Sequence, residues 1–478
     1  MAVLTNCKPT NVFKYFEEIC TIPHGSWNEK ALSDHIYNWA RGLGLDTIQD
    51  ELFNLIIRKP ATPGHEAAPT VIIQGHLDMV CEKNNDVDFD FTTQGLDIYV
   101  DGDYIKARGT TLGADNGIAV AMAMALLADK TLAHPAIEVV LTTVEEAGMD
   151  GAKAIDPTNL SGTRLINVDS ENEGVFLSSC AGGARVRIAL EITRQPLPAV
   201  DFVAYNISIG GLKGGHSGMD IAKERGNANK ILGRVLNEIA APYHLANIGG
   251  GSKDNAIPRE AWATICAPSN AKQEIEALAA TLAKEFEHGD GGLFVRIEET
   301  TKPQEVFSPT SQKQAIGLLL TLPSGVAHMS AALAGLVETS NNLGVVSIDD
   351  NVITYTCAVR SSVESRKYAL IRQISAAAEA FGATAVPSDG YPGWAYSPNS
   401  ELRDIFTTVY KAKYGKDAEI LAIHAGLECG VFADKLPGLD MISFGPNMHD
   451  VHTPDERLSI SSTANCYEFL KDVLAAMK

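Results

Sequence analysis

Three short apolar runs, each ending in ionisable side chains, constrain this chain more than any other feature. They are 70–74, 137–143 and 164–168, which run on into GHLD (75–78), VEE (144–146) and DSE (169–171). Their Val and Ile content and their length suit strands and are too short for helices. Between the first two lies NGIAVAMAMALL (116–127), an Ala/Met/Leu-rich helix opened by Asp115 and Asn116. Earlier, Leu32, Ile36, Trp39 and Leu43 keep helical spacing across 28–43. Apolar strands alternating with helices predict a largely parallel sheet covered on both faces. Pockets in such sheets lie beyond the carboxyl ends of the strands, where His76, Glu145, Glu146 and Asp169 fall.

A chain of 478 residues exceeds what one hydrophobic core ordinarily organises. The pattern changes at CAGGA (180–184), a small-residue stretch suited to a crossing point. Alternating segments follow at 185–193 and 202–209, then a long helical pattern over 222–239. A second round occupies 273–287, 292–299, 311–320, 351–359 and 368–381. These elements predict an α+β domain over 185–390, inserted into a first domain made of 1–184 and 391–478. SDGYPGWAYSPNS (388–400) reads as the return linker. A helix around 401–414, a strand at 441–444 and a helix around 462–477 would complete the first domain.

The ionisable ends carry the chemistry. In an extended segment His76 and Asp78 face one side, so the carboxylate can hold one ring nitrogen while the other binds metal. Alone, such a pair is more often a satisfied core histidine. Asp115 at the head of its helix can present one oxygen to each of two cations about 4 Å apart. Most aspartates there only cap, but Gly113 and Gly117 permit close approach. Adjacent residues of an extended chain point opposite ways, so one of Glu145 and Glu146 can bind metal while the other serves as general base. Asp169 follows the third run, where capping the next turn and binding a cation are equally open readings. MHDVHTPDE (448–456) offers His449 and His452, and spacing alone does not choose between them. Two histidines with these carboxylates form the inventory of a two-metal hydrolase centre. An all-nitrogen-and-oxygen set suits zinc, but also cobalt or manganese. His216, in the glycine-rich GGHSG (214–218), is either a solvated turn residue or a donor to a developing oxyanion.

Composition excludes some classes. With 39 basic and 59 acidic residues the formal charge is −20, which argues against nucleic acid or an anionic membrane as partner. Eight cysteines without a C-x-x-C pair read as free thiols in a reducing compartment, and so as a cytoplasmic protein. The first twenty residues lack the pattern of a signal peptide, and no stretch reaches the roughly 20 apolar residues of a membrane span.

Seven strings in order, GHLDMVCEKN, GTTLGADNGIA, TTVEEAGMDGA, NVDSE, GLKGGHSGMDI, HAGLECG and HTPDER, closely resemble a known group. It is the dinuclear-zinc peptidase superfamily that includes aminoacylase, glutamate carboxypeptidase, peptidase T and carnosinase. The likeness is nearest to the bacterial aminoacyl-histidine dipeptidases and spans essentially the whole chain. The resemblance implies a zinc-peptidase α/β catalytic domain with an inserted lid. It implies two divalent metal ions, most simply Zn2+, with Co2+ or Mn2+ as substitutes. His76 and Asp169 would hold one, Glu146 and His452 the other, and Asp115 would bridge. Asp78 would orient His76, and Glu145 would be the general base. From the lid, His216 resembles the transition-state histidine, Asn255 the substrate-binding asparagine, and Arg360 the clamp on the substrate carboxylate. Gly426 would offer a backbone contact. The implied activity is hydrolysis of dipeptides with broad specificity, including Xaa-His dipeptides such as carnosine. An N-acyl amino acid deacylase or an aminotripeptidase is the alternative on the same scaffold. A metal-binding protein without turnover is the alternative of another class, and the intact Glu145 counts against it. Shorter-lid relatives borrow the histidine from a partner subunit in a homodimer; the long lid here resembles those that complete the site within one chain.

Overall fold

The structure, a computed structural model, describes residues 3–199 and 201–478. The chain divides into two compact units. One comprises Met1–Cys180, Tyr396–Ala422 and Leu427–Lys478; the other comprises Ala181–Ala395 and Ile423–Gly426.

The first unit is built on an eight-stranded sheet. Its spatial order is Asp46–Gln49, Leu55–Lys59, Ile137–Thr142, Val71–His76, Arg164–Asn167, Asp440–Ser443, Val175–Cys180 and Glu419–Ile423. The central four, from Ile137–Thr142 to Asp440–Ser443, are mutually parallel. Antiparallel strands flank them on both sides. Val71–His76 and Ile137–Thr142 are buried at every position, which is why they read as unbroken apolar runs. The helix Ala114–Ala128 is buried almost all round and packs against the helix Thr10–Cys20 and the strand Val71–His76. That approach requires a glycine. A Cβ at Gly75 would stand 2.5 Å from Asn116 Oδ1 and 2.9 Å from the Ala119 Cβ. A small antiparallel sheet of Met448–His449, Arg457–Ser459, Tyr104–Ala107 and Ile98–Asp101 carries the loop that contains His452.

The second unit is a nine-stranded sheet whose pairings are antiparallel. The helices Ala228–Glu238, Pro309–Thr321 and Glu364–Ala380 set Leu232, Leu318 and Ile374 into a core shared with strand residues Ile188, Ile207 and Tyr355. The helix Ala271–Glu285 adds Ile275 to the same core. The α/β sheet and the separate α+β unit are therefore as predicted in class.

Local differences have local causes. The helical pattern over 222–239 resolves into a 3-10 turn at Ile221–Lys223 and a helix only from Ala228. Asn227 caps that helix by accepting from Lys230 N, so the chain cannot be helical through it. The strand Thr384–Tyr391 runs into the stretch read as linker. The thirteen-residue strand Val337–Asp349 escapes sequence reading because its first half is polar. Asn341 and Asn342 are buried there with side-chain amides donating to the Pro323, Asp254 and Ala256 carbonyls. All eight cysteines are free thiols, and among the described residues no helix is long and apolar enough to cross a membrane.

Candidate metal centre and active site

The first unit brings seven of the predicted residues together. His76 ends its strand with Nδ1 3.0 Å from the Asp78 carbonyl and 3.3 Å from Asp78 Oδ1. Its Nε2 stands 3.2 Å from Asp115 Oδ1 and 3.7 Å from Asp169 Oδ1. On the other side, His452 Nε2 is 3.2 Å from Asp115 Oδ2 and 2.8 Å from Glu146 Oε1. The two oxygens of Asp115 thus face different histidines. Asp115 can do so because it departs from helical geometry (φ −82°, ψ 100°) at the head of its helix.

Backbone placement explains how distant residues converge. The strand Ile137–Thr142 stops before Glu145, and Val144 takes a left-handed φ of 55°. Glu145 and Glu146 therefore sit in a turn, not in the extended chain expected from sequence. Their divergence comes from that turn, where both backbone N–H groups donate to the Asp78 carboxylate, at 2.9 and 3.2 Å. His452 also lies in the left-handed region (φ 63°), a cost that non-glycine residues bear mainly at functional sites. His449, its rival on spacing, instead pairs with Arg457 in the small sheet and lies edge-on to Tyr104.

Sequence reasoning passed over three supporting residues. Asn116 Nδ2 donates to Asp169 Oδ1 at 2.9 Å and to the Val168 carbonyl, while its Oδ1 accepts from His76 N. Glu456, buried, accepts the backbone N–H groups of Leu112, Gly113, Ala114 and Asp115. Glu428 is buried as well, bonded to Gln74 and Thr142. Glu428 and Glu456 stand inside quoted motifs, HAGLECG and HTPDER, so the signal was a carboxylate beside a chosen residue.

The electrostatics fit a cation-binding cluster. Burial opposes charge on His76, but Asp115, Asp78 and Asp169 outweigh it and hold its pKa well above the usual histidine value. Hydrogen bonds to Asp115 and Glu146 push His452 up to about 11. Burial drives Glu145 and Asp169 well above the carboxylate range, as neighbouring carboxylates add to it. Burial also pushes Glu456 up to about 7. Among the described residues no lysine or arginine pairs with Asp115, Glu145, Glu146 or Asp169. Four crowded carboxylates with only imidazoles to balance them are a donor set suited to divalent cations. Ligand atoms of His76, Asp115 and Glu146 all lie within 4.8 Å of one another.

The remaining predicted residues lie in the second unit. His216 Nδ1 accepts from the backbone N–H groups of Gly218 and Met219. Burial and then Arg360 lower its pKa. Arg360 is buried, donates to the Tyr391 hydroxyl at 3.1 Å, and approaches His216 Nε2 at 3.4 Å. Asn255 is exposed and takes Ser217 N on its backbone carbonyl. Gly426 belongs to the short segment Ile423–Gly426, in which His424 Nε2 meets Ser340 Oγ at 2.7 Å.

Comparison with known proteins follows the same lines. The pattern of Peptidase family M20/M25/M40 matches residues 72–476. The chain is 39% identical over 480 residues to the cytosol non-specific dipeptidase of Escherichia coli (strain K12), covering 99% of each. It resembles the crystal structure of aminoacylhistidine dipeptidase from Vibrio alginolyticus with a TM-score of 0.93 and 40% identity, covering 99% of this chain and 98% of that one. The aminopeptidase PepT from Bacillus cereus shares the fold at a TM-score of 0.58 and 15% identity, over 98% of both chains.

Proposed function

This chain belongs to peptidase family M20/M25/M40, and on that premise we propose that it is a metal-dependent dipeptidase of broad specificity, Xaa-His dipeptides such as carnosine included. The observation that carries the reading is the approach of the two Asp115 oxygens to His76 and His452, at 3.2 Å each. His76 and Asp169 are assigned to one divalent ion, Glu146 and His452 to the other, and Asp115 to both. Zinc is the expected metal, with cobalt or manganese able to replace it. Bound there, two such ions would polarise a peptide carbonyl and raise the acidity of the attacking water.

The chain's own residues have separate tasks. Asp78 steadies the Nδ1 side of His76 and leaves Nε2 for a cation. Glu145 makes no ion pair with either histidine among the described residues, which suits a general base. It takes the proton of the attacking water and returns it to the leaving amine. His216 is assigned to the oxyanion. Arg360, Asn255 and the Gly426 backbone are assigned to the substrate's ends, and the unit spanning Ala181–Ala395 to the role of lid. A cytosolic location is supported by eight free thiols and by the name of the Escherichia coli relative.

The test is metal-stripped protein, reloaded with zinc or cobalt and given carnosine, a tripeptide and an N-acetyl amino acid side by side. Restored dipeptide hydrolysis is the expected result. Preference for either other substrate would replace the assignment, and metal uptake without hydrolysis would leave only a binding protein.

A further inference from the structure

Glu428, in the first turn of the helix Glu428–Lys435, has no part in the chemistry above. Its Oε2 accepts from Gln74 Nε2 at 2.5 Å and from Thr142 Oγ1 at 2.7 Å. Gln74 Oε1 accepts in turn from Asn167 Nδ2 at 2.6 Å. Gln74 and Asn167 are register partners on adjacent parallel strands, and Asn167 partners Ser443 on the next. The strands tied in this way are the ones that carry the candidate ligands. His76 and Asp169 each lie two residues beyond Gln74 and Asn167, and the Glu145–Glu146 turn begins just past Thr142.

A carboxylate is a costly choice for that place. Glu428, Gln74, Thr142 and Asn167 are each no more than 1% exposed. Among the described residues, no lysine or arginine pairs with Glu428, and its Oε1 has no hydrogen-bond partner; Asn167 Oδ1 and Ser443 Oγ have none either. Apolar side chains of similar volume would fill the space without burying unpaired oxygens. What they could not supply is one acceptor that draws two donors, from neighbouring strands, onto a single point.

We propose that Glu428 is a positioning residue for the metal centre: through Gln74, Thr142 and Asn167 it sets the strand ends that deliver His76, Asp169 and the Glu145–Glu146 turn. The inference rests on the metal-centre reading given above. Glu428 acts through its neighbours and touches neither substrate nor cation.

Calorimetric titration of the metal-stripped full chain with zinc or cobalt tests it, with carnosine kinetics alongside. Glu428→Ala should weaken divalent affinity by about 10-fold, the lower end of the effect of removing a direct outer partner of metal ligands, because Glu428 acts one bond further out. It should lower kcat while leaving KM for carnosine nearly unchanged. Glu428→Gln, whose amide oxygen can accept the same two bonds, should recover most of the affinity. Gln74→Met cuts the link to Asn167 without altering Glu428, should weaken affinity in the same direction, and serves if Glu428→Ala does not fold. Variants that melt earlier yet bind divalent ions like the parent would overturn the proposal, leaving Glu428 a packing residue. A Glu428→Gln variant as impaired as Glu428→Ala would overturn it too. If the parent itself takes up no divalent ion, the metal-centre reading falls and this one with it; parental uptake with unaffected variants sinks this one alone.

Discussion

At the scale of single residues, two adjacent glutamates have different surroundings. Glu146 meets His452 at 2.8 Å, while among the described residues Glu145 makes no ion pair with either histidine. Glu145→Ala should therefore lower dipeptide turnover by at least about 10²–10⁴-fold, the contribution of a positioned general base, with metal content near normal. Elemental analysis beside the kinetic assay checks it; loss of metal and turnover together would make Glu145 a ligand. His452→Ala should lower divalent occupancy, whereas His449→Ala should leave it unchanged, because of these two it is His452 that approaches Asp115 and Glu146. The reverse pattern would mean the wrong histidine was chosen. Most of these side chains were legible because apolar strands run directly into them. The choice between His449 and His452 was not, since both stand in one polar stretch; in the structure His452 Nε2 faces Asp115 and Glu146 while His449 pairs with Arg457 in the small sheet.

At the scale of elements, the chain spends buried carboxylates on holding backbone. Glu456 receives four consecutive N–H groups, from Leu112 to Asp115, at 2.7–3.3 Å. Leu112 and Gly113 precede the helix and Ala114 and Asp115 open it, so none of these donors has an acceptor within it. Glu456→Ala should destabilise the fold by about 3 kcal/mol, since bonds to a charged acceptor are lost and donors are left unsatisfied. Urea unfolding measures this, and a change below about 0.5 kcal/mol, typical of an ordinary surface site, would refute the role. The same scale shows where pattern reading stops. Ile137–Thr142 was legible from its apolar run, but the turn after it was not, because Val144 takes a conformation that its residue type disfavours. Val337–Asp349 was missed because buried asparagines whose amides donate to backbone carbonyls look, in sequence, like a solvated loop.

At the scale of the whole molecule, each unit has its own core, one around the helix Ala114–Ala128 and one around strand residues such as Ile188 and Tyr355. Divalent uptake should thus act on one unit. Hydrogen exchange of metal-stripped protein should slow on zinc addition at amides 76–78, 115–116 and 145–146, and stay unchanged at 186–190. Uniform slowing across both units would contradict a centre confined to the first. The sequence by itself determined the class of fold and the ligand types, because burial on both faces forces unbroken apolar runs and a cation requires nitrogen and oxygen donors. It could also place most donors at strand ends, since a parallel sheet has its openings there. Only the tertiary structure decided which donors meet. Proximity among residues 76, 115, 146 and 452 is set by register, left-handed turns and buried acceptors such as Glu456, and these are properties of packed elements that no local stretch of chain encodes.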